Sequence, residues 1–301
     1  MLFICGFIIY HLSFGSMLVD THCHLNFGAF DGKVNDVINE AKYTGVNQIV
    51  IPGTDIETSE KAVEIAKKYE GIYAAVGIHP HHVFEIFEKN KSSATQIFQK
   101  TCETEKFAFA SNLKNIENLL KYKKVVAVGE VGIDRHIYQK TKYPDYKMNQ
   151  EFVELQKIFL KEQIKLAIKY SKSLILHNRE AREDTLGVLE SVWDKKLEGR
   201  AVFHCCEPDK IILEFAQKHK MFIGVDGDIF YKKDKQEFIK TVPLKMLVLE
   251  TDSPFLSPDQ KSLNEPKNIK VIAEFIARLL HCPIDLLAKQ TTENAKKLFK
   301  I

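Results

Sequence analysis

Leu18-Val19-Asp20-Thr21-His22-Cys23-His24 is an apolar run that ends in two histidines one residue apart. In an extended strand alternate side chains share a face, so His22 and His24 point one way and Cys23 the other. Four later apolar runs also finish in a ligand-type residue, 125–130 in Glu130, 174–177 in His177, 201–204 in His204 and 247–252 in Asp252. Residues scattered from His22 to Asp252 meet only if parallel strands deliver their C-terminal ends to one mouth, as a closed α/β barrel does. An open doubly wound sheet, the structural alternative, spreads those ends apart.

Working outward, eight strand-like runs are predicted at 18–22, 48–51, 73–76, 125–128, 174–177, 201–204, 222–225 and 246–250, with helical patterns between most of them. The runs are rich in Val, Ile and Leu without strict alternation, which suits strands buried on both faces. The expected fold is α/β, a (β/α)8 TIM barrel over residues 17–301 as a single domain. Val34, Val37, Ile38 and Ala41 mark one amphipathic helix before Gly45; Phe152, Leu155, Phe159, Ile164, Leu166 and Ala167 mark a longer one before the fifth strand. The stretch 83–124 is long for one barrel connection. Its helical spacing of Ile97, Phe98, Ile116, Leu119 and Leu120 predicts two helices, one of them an extra segment after the third strand.

Residues 1–16 (MLFICGFIIYHLSFGS) are uncharged and mostly apolar. They fall short of a membrane span of about 20 residues and lack a basic n-region. Met17 directly precedes the first strand, so this segment reads as a dispensable extension or misassigned start, with a membrane tether as the lesser reading. Hydrophobic residues at 45% and charged residues at 28% suit a globular chain with a sizeable core. A formal charge of +3 lacks the basic excess of a protein that holds nucleic acid by electrostatics alone, so a polyanion must be held locally. Six cysteines without CxxC spacing predict a reduced, cytoplasmic protein.

A lone HxH pair is weak grounds for a metal site; four further strand-end ligands make it a strong one. His177 and His204 offer neutral imidazoles suited to Zn²⁺, Mn²⁺ or a similar ion. A carboxylate at Glu130 has two oxygens with which to span two cations, and Asp252 can both ligate and accept a proton from water. Four imidazoles and two carboxylates point to two divalent cations, with Mg, Mn or Zn all compatible.

The motifs DTHCHL (20–25), GIHPH (77–81), GEVGID (129–134), LHNREA (176–181), HC (204–205), ETDSPFLSP (250–258), NEP (264–266) and TTENAKKLF (291–299) together resemble the TatD-like metal-dependent deoxyribonucleases of the amidohydrolase-like barrel superfamily. The resemblance runs from Met17 to about Phe299. It implies a 3′–5′ exonuclease that hydrolyses phosphodiester bonds in single-stranded DNA with divalent cations, with His22, His24, Glu130, His177, His204 and Asp252 as metal ligands. It also implies that Glu130 lies between the metals. The chain departs from the family pattern at Asn26, where Asp is usual, at Arg135, at Cys206-Glu207-Pro208-Asp209, and at Gln260-Lys261-Ser262-Leu263 before NEP. These departures spare the ligands and bear on the substrate.

In the resulting mechanism the cations activate a water for attack on phosphorus and clamp the phosphate oxygens, while Asp252 orients that water and takes its proton. Arg179 and His79, with His81 behind them, are the expected substrate-binding residues; pairing of Arg179 with Glu180 or Glu183 is the structural alternative. Tyr138, Tyr143 and Tyr146 interleave with Lys140, Lys142 and Lys147, a pattern that fits either a single-strand track or a solvated loop. The expected partner is single-stranded DNA, bound by a monomer that needs no second protein. The competing functions are hydrolysis of a small amide, lactone or phosphoester, since the ligand set does not name a bond, and a non-catalytic metal- or nucleic-acid-binding barrel.

Overall fold

The computed structural model describes residues 17–89, 103–143 and 145–301. Residues 1–16, and Ile97 and Phe98 of the predicted helical segment, lie outside them. Eight strands follow in order: β1 (Leu18–Asp20), β2 (Val46–Pro52), β3 (Ile72–Val76), β4 (Val125–Asp134), β5 (Ser173–Arg179), β6 (Ala201–Phe203), β7 (Phe222–Val225) and β8 (Leu247–Leu249). Each pairs in parallel with the next. The sheet closes on itself where Thr21 N donates to Leu249 O (3.0 Å), Asp252 N to His22 O (2.9 Å) and His24 N to Ser253 O (2.7 Å). The closing bonds therefore run through the ligand-bearing segments themselves.

Val19, Val50, Ala75, Val126, Ile175, Val202, Phe222 and Val248 form one buried cluster. Residues from all eight strands can share a cluster only inside the cylinder. Ala295, Leu298 and Phe299 join it from the last helix, plugging the end away from the ligands. A larger cluster fills the space between strands and surrounding helices. Those helices are α1 (Val34–Tyr43), α2 (Ile56–Lys68), α3 (Pro80–Lys89), α4 (Glu103–Leu119), α5 (Gln150–Lys169), α6 (Arg182–Val192), α7 (Lys210–Lys218), α8 (Lys233–Thr241), α9 (Ile269–Leu279) and α10 (Ile284–Phe299).

Local chemistry sets the helix starts. Asp55 and Thr58 form a reciprocal capping box on α2, Asn149 caps α5 by accepting from Phe152 N, and Asp209 caps α7 by accepting from Ile211 N and Ile212 N. The predicted apolar faces are the buried ones: Val37, Ile38 and Ala41 on α1, and Phe152, Leu155, Phe159, Ile164 and Ala167 on α5. Both α3 and α4 fall within 83–124 or at its edge, as the expected extra helical segment requires. Strand β4 runs six residues past its predicted end at Val128. Its extension pairs Gly132 with His177, and a Cβ on Gly132 would stand 1.8 Å from the His177 carbonyl oxygen, so only glycine allows this approach.

Candidate metal centre

All six predicted ligands converge at the C-terminal mouth of the barrel. His22 Nε2 lies 3.1 Å from His24 Nε2. Glu130 Oε2 stands 3.4 Å from His22 Nε2 and 3.7 Å from His24 Nε2, and Asp252 Oδ1 stands 3.6 and 3.4 Å from the same two nitrogens. On the other side Glu130 Oε1 meets His177 Nδ1 at 2.8 Å, His79 Nε2 at 3.4 Å and His204 Nε2 at 3.6 Å. The two oxygens of Glu130 thus face two different sets of nitrogens.

These distances test whether the residues fit a cation. Ligand atoms held at about 2.0–2.2 Å from one ion stand roughly 3–3.6 Å from one another. The His22, His24 and Glu130 atoms have about that spacing, and Asp252 Oδ1 stands at it from both imidazoles. They are also electron-pair donors crowded on one point, with His22 fully buried and the Nδ1 atoms of His22 and His24 lacking a hydrogen-bond partner. A divalent cation would take electron pairs from these imidazoles and carboxylates at once, so the donor chemistry fits such a metal.

Two carboxylates that strand-end reasoning passed over orient the ligands. Asp134 Oδ2 lies 3.1 Å from His177 Nε2, leaving Nδ1 to face the centre. Glu250 Oε1 accepts a bond from Cys205 N and lies 3.2 Å from His204 Nδ1 as a charge neighbour without hydrogen-bond geometry, while His204 Nε2 faces inward. An outer carboxylate fixing the second ring nitrogen is a common device of metal-binding histidines. Gly224 makes room for Glu250: a Cβ there would stand 2.3 Å from Oε1. A signal existed in the sequence, since Asp134 lies four residues beyond Glu130 and so on the same strand face, and Glu250 lies two before Asp252.

A further buried network holds β1 to β8. Asp20 Oδ1 accepts from His22 N (3.2 Å) and Thr251 N (3.1 Å), Oδ2 accepts from Thr251 Oγ1 (2.7 Å), and Ser253 Oγ donates to Thr251 Oγ1 (2.7 Å). Cys205 and Asp252 both adopt positive φ, 43° and 52°, so two residues of the mouth sit in a backbone region that L-residues seldom occupy.

The electrostatics follow the geometry. Burial and the nearby His204 lower the His22 pKa to about 4, keeping its imidazole neutral. For His177, burial opposes protonation but the bonds to Asp134 and Glu130 outweigh it and raise the pKa to about 9. His204 behaves likewise, lifted to about 10 against burial by Glu250 and Glu130. Glu130 and Asp252 are held below the usual carboxylate range: burial works against their charge, and the surrounding imidazoles prevail.

The expected substrate-binding residues separate. His79 reaches the centre; its Nδ1 accepts from His81 N (3.1 Å), which leaves the proton of the neutral ring on Nε2, aimed at Glu130. His81 stands at the rim, its Nε2 engaged with Thr141 Oγ1 (2.7 Å) and its ring among Tyr138, Tyr143 and Tyr146. Arg179 donates to the Tyr138 hydroxyl (3.3 Å), which donates in turn to Asp134 Oδ2 (2.6 Å). Among the described residues Arg179 has no carboxylate partner: Glu180 meets His136 and Glu183 meets Arg182.

The same surroundings explain the departures. Asn26 donates to Pro52 O and Thr58 O (both 2.9 Å), bonds that an aspartate could not donate. Arg135 pairs with Asp184, away from the mouth. The acidic loop after His204 is neutralised residue by residue, since Glu207 pairs with Lys232 (2.8 Å) and Asp209 with Arg182 (3.0 Å). The interleaved segment divides: Tyr138 lines the cavity, Tyr143 and Tyr146 pack on Phe84, and Lys142 pairs with Asp55 (3.6 Å).

Five of the six predicted ligands, His24, Glu130, His177, His204 and Asp252, line a cavity of about 480 Å³. Comparison with known proteins agrees with this geometry. The profile of the family described as TatD related DNase matches residues 19–300. An uncharacterized metal-dependent hydrolase, YabD, of Bacillus subtilis is 32% identical over 289 residues, covering 95% of this chain and all of that protein. A 3′-5′ ssDNA/RNA exonuclease, TatD, of Edwardsiella piscicida is 28% identical, covering 94% of this chain and 100% of its own length. Among solved structures, the TatD homolog YJJV of Escherichia coli superposes with a TM-score of 0.75 at 27% identity, over 94% of this chain and 98% of that one.

Proposed function

The chain belongs to the TatD related DNase family, and on that premise we propose that it is a two-metal phosphodiesterase that removes nucleotides from the 3′ end of single-stranded DNA. As a family member it is a metal-dependent hydrolase of ester bonds. The observation that carries the two-metal reading is Glu130, whose Oε2 faces His22 and His24 while Oε1 faces His177 and His204. His22, His24, Glu130 and Asp252 would hold one cation, and Glu130, His177 and His204 the other. Bound there, such cations supply an activated water and offset charge on the phosphate oxygens.

The chain's own groups do the rest. Asp252, kept ionised by the imidazoles around it, accepts the proton of the attacking water. His79 offers its fixed Nε2–H to a phosphate oxygen, and Arg179, braced by Tyr138, meets the next phosphate at the rim. We place this activity in a cytoplasmic monomer. A second reading, hydrolysis of a small phosphoester, draws on the cavity volume of about 480 Å³, which suits a small ligand as well as a strand end.

A digestion panel separates the readings: 3′- and 5′-labelled single-stranded DNA, RNA, duplex DNA and small phosphodiesters, with divalent cation and with chelator. Stepwise loss from the 3′ end of single-stranded DNA, abolished by chelation, is expected. Turnover of the small diesters alone would replace the exonuclease reading with the second one.

A further inference from the structure

Phe255 is left largely in water, 51% exposed, yet it belongs to the cavity wall and not to a loose loop. Its backbone is pinned. Phe255 N donates to Asp252 O (2.9 Å), and the buried Asn264 amide donates to Phe255 O (2.7 Å) and Thr251 O (2.8 Å). The same loop packs on the turn after β7, since a Cβ on Gly227 would stand 2.1 Å from Leu256 O. Phe27 faces it across the cavity edge. The Phe27 ring lies flat on His24, centroids 4.3 Å apart at 16°, and meets Phe255 nearly at right angles, 6.1 Å at 72°.

Two fixed aromatic rings at right angles make a corner for one planar group, taken face-on by one ring and edge-on by the other. The corner has no charge of its own; the cationic side chains of the cavity, Arg179 and Lys232, belong to β5 and to the loop after β7. The strand order sets Phe27 and Phe255, which follow β1 and β8, diametrically across the barrel from Tyr138 and Arg179 at the ends of β4 and β5. A phosphate at the centre would therefore have Arg179 and Tyr138 on one side and an aromatic corner beside His24 on the other, with Lys232 next to that corner after β7.

We propose that Phe27 and Phe255 form a base-stacking subsite, which holds the nucleobase of a nucleoside attached to the phosphate at the metal centre. This rests on the reading of the substrate as a nucleotide phosphoester and adds where the base goes. Stacking tolerates any base because every base has a π-face, so the subsite selects nucleotides without selecting sequence. With the Phe255 backbone held by Asn264, only the ring's own rotation is left to be ordered when the base arrives.

The test is calorimetric binding of thymidine 5′-monophosphate and of deoxyribose 5-phosphate to the full chain loaded with Mn²⁺, a readout that needs no turnover. The intact protein should bind the nucleotide about tenfold more tightly than the base-free sugar phosphate, the size of one stacking contact. Phe255→Ala should erase that preference to within about twofold, and Phe255→Tyr should retain it; adenosine 5′-monophosphate should show a similar preference. No base preference in the intact protein, or the same preference in Phe255→Ala, overturns the subsite. The digestion panel reads the other question: base preference without nucleotide release refutes the exonuclease and leaves the subsite standing, whereas release without base preference does the reverse.

Discussion

In the proposed reaction Asp252 is the residue on which the chemistry turns. Its Oδ1 is 3.4 Å from His24 Nε2 and 3.6 Å from His22 Nε2, close enough to share their cation and still 14% exposed to the cavity from which water arrives. Asp252→Asn keeps the shape and one ligand oxygen but removes the charge that draws a proton. Turnover should fall by roughly 10²–10⁴, the usual worth of a positioned general base, while metal affinity measured by calorimetry falls far less. A variant with near-normal kcat would remove Asp252 from the proton-transfer step. The six residues that converge at the mouth were legible in the sequence because they close five apolar runs. Asp134 and Glu250 shared their strand faces, but their role was not legible, because a carboxylate behind a histidine and one that binds a metal look alike until the ring nitrogens are placed.

One helix, α5, positions two parts of the mouth. Gln156 and Gln163, seven residues apart and both buried, each use one amide to satisfy a backbone donor and acceptor. Gln156 accepts from Asp134 N (2.8 Å) and donates to Asp134 O (3.1 Å); Gln163 accepts from Ile78 N (2.7 Å) and donates to Ile78 O (3.1 Å). Gln163→Leu would strand both groups beside His79, so urea unfolding should show a loss of about 2–4 kcal/mol, with KM for the oligonucleotide rising as His79 loosens. Stability unchanged within about 0.5 kcal/mol, the spread of neutral substitutions, would show that the clamp is idle. The seam between α4 and α5 carries a pH signature. Bonds from Lys169, Tyr170 and Lys114 depress the Glu117 pKa from 4.5 to about 2. A carboxylate whose folded pKa is lowered stabilises above its unfolded value and loses that contribution as pH falls toward the folded one. Acid unfolding should therefore steepen between pH 4.5 and about 2, and Glu117→Gln should flatten that limb by less than about 1 kcal/mol, since Lys169 is mostly in water. No change in the limb would mean the seam is held by apolar contacts alone. Helix positions and faces were readable from spacing. The clamps were not, because a buried glutamine in an amphipathic pattern gives no sign of which backbone it will meet.

At the scale of the whole molecule, the eight apolar runs set strand number and order, and closure followed from where their ligands had to meet. The charge argument also operates at this scale. A chain with a net charge of +3 has little long-range pull on a polyanion, so under the proposed function the side-chain contacts to a strand come down to the few cations at the mouth, Arg179 and Lys232. Lys232 is moreover occupied, 2.8 Å from Glu207 and 3.0 Å from Asp228. Each phosphate neutralised on a single strand contributes about −0.7 to the slope of log K against log salt concentration. Two contacts give a slope of about −1.4, and one, if Glu207 keeps Lys232 from the strand, about −0.7. Fluorescence titration of a labelled single-stranded oligonucleotide across a salt series should fall within that range. Glu207→Gln frees Lys232 from one counter-charge, so it should tighten binding at low salt and move the slope toward the two-contact value. A slope of about −3 or steeper would require a basic track well beyond these two residues, and binding confined to the mouth would then be refuted.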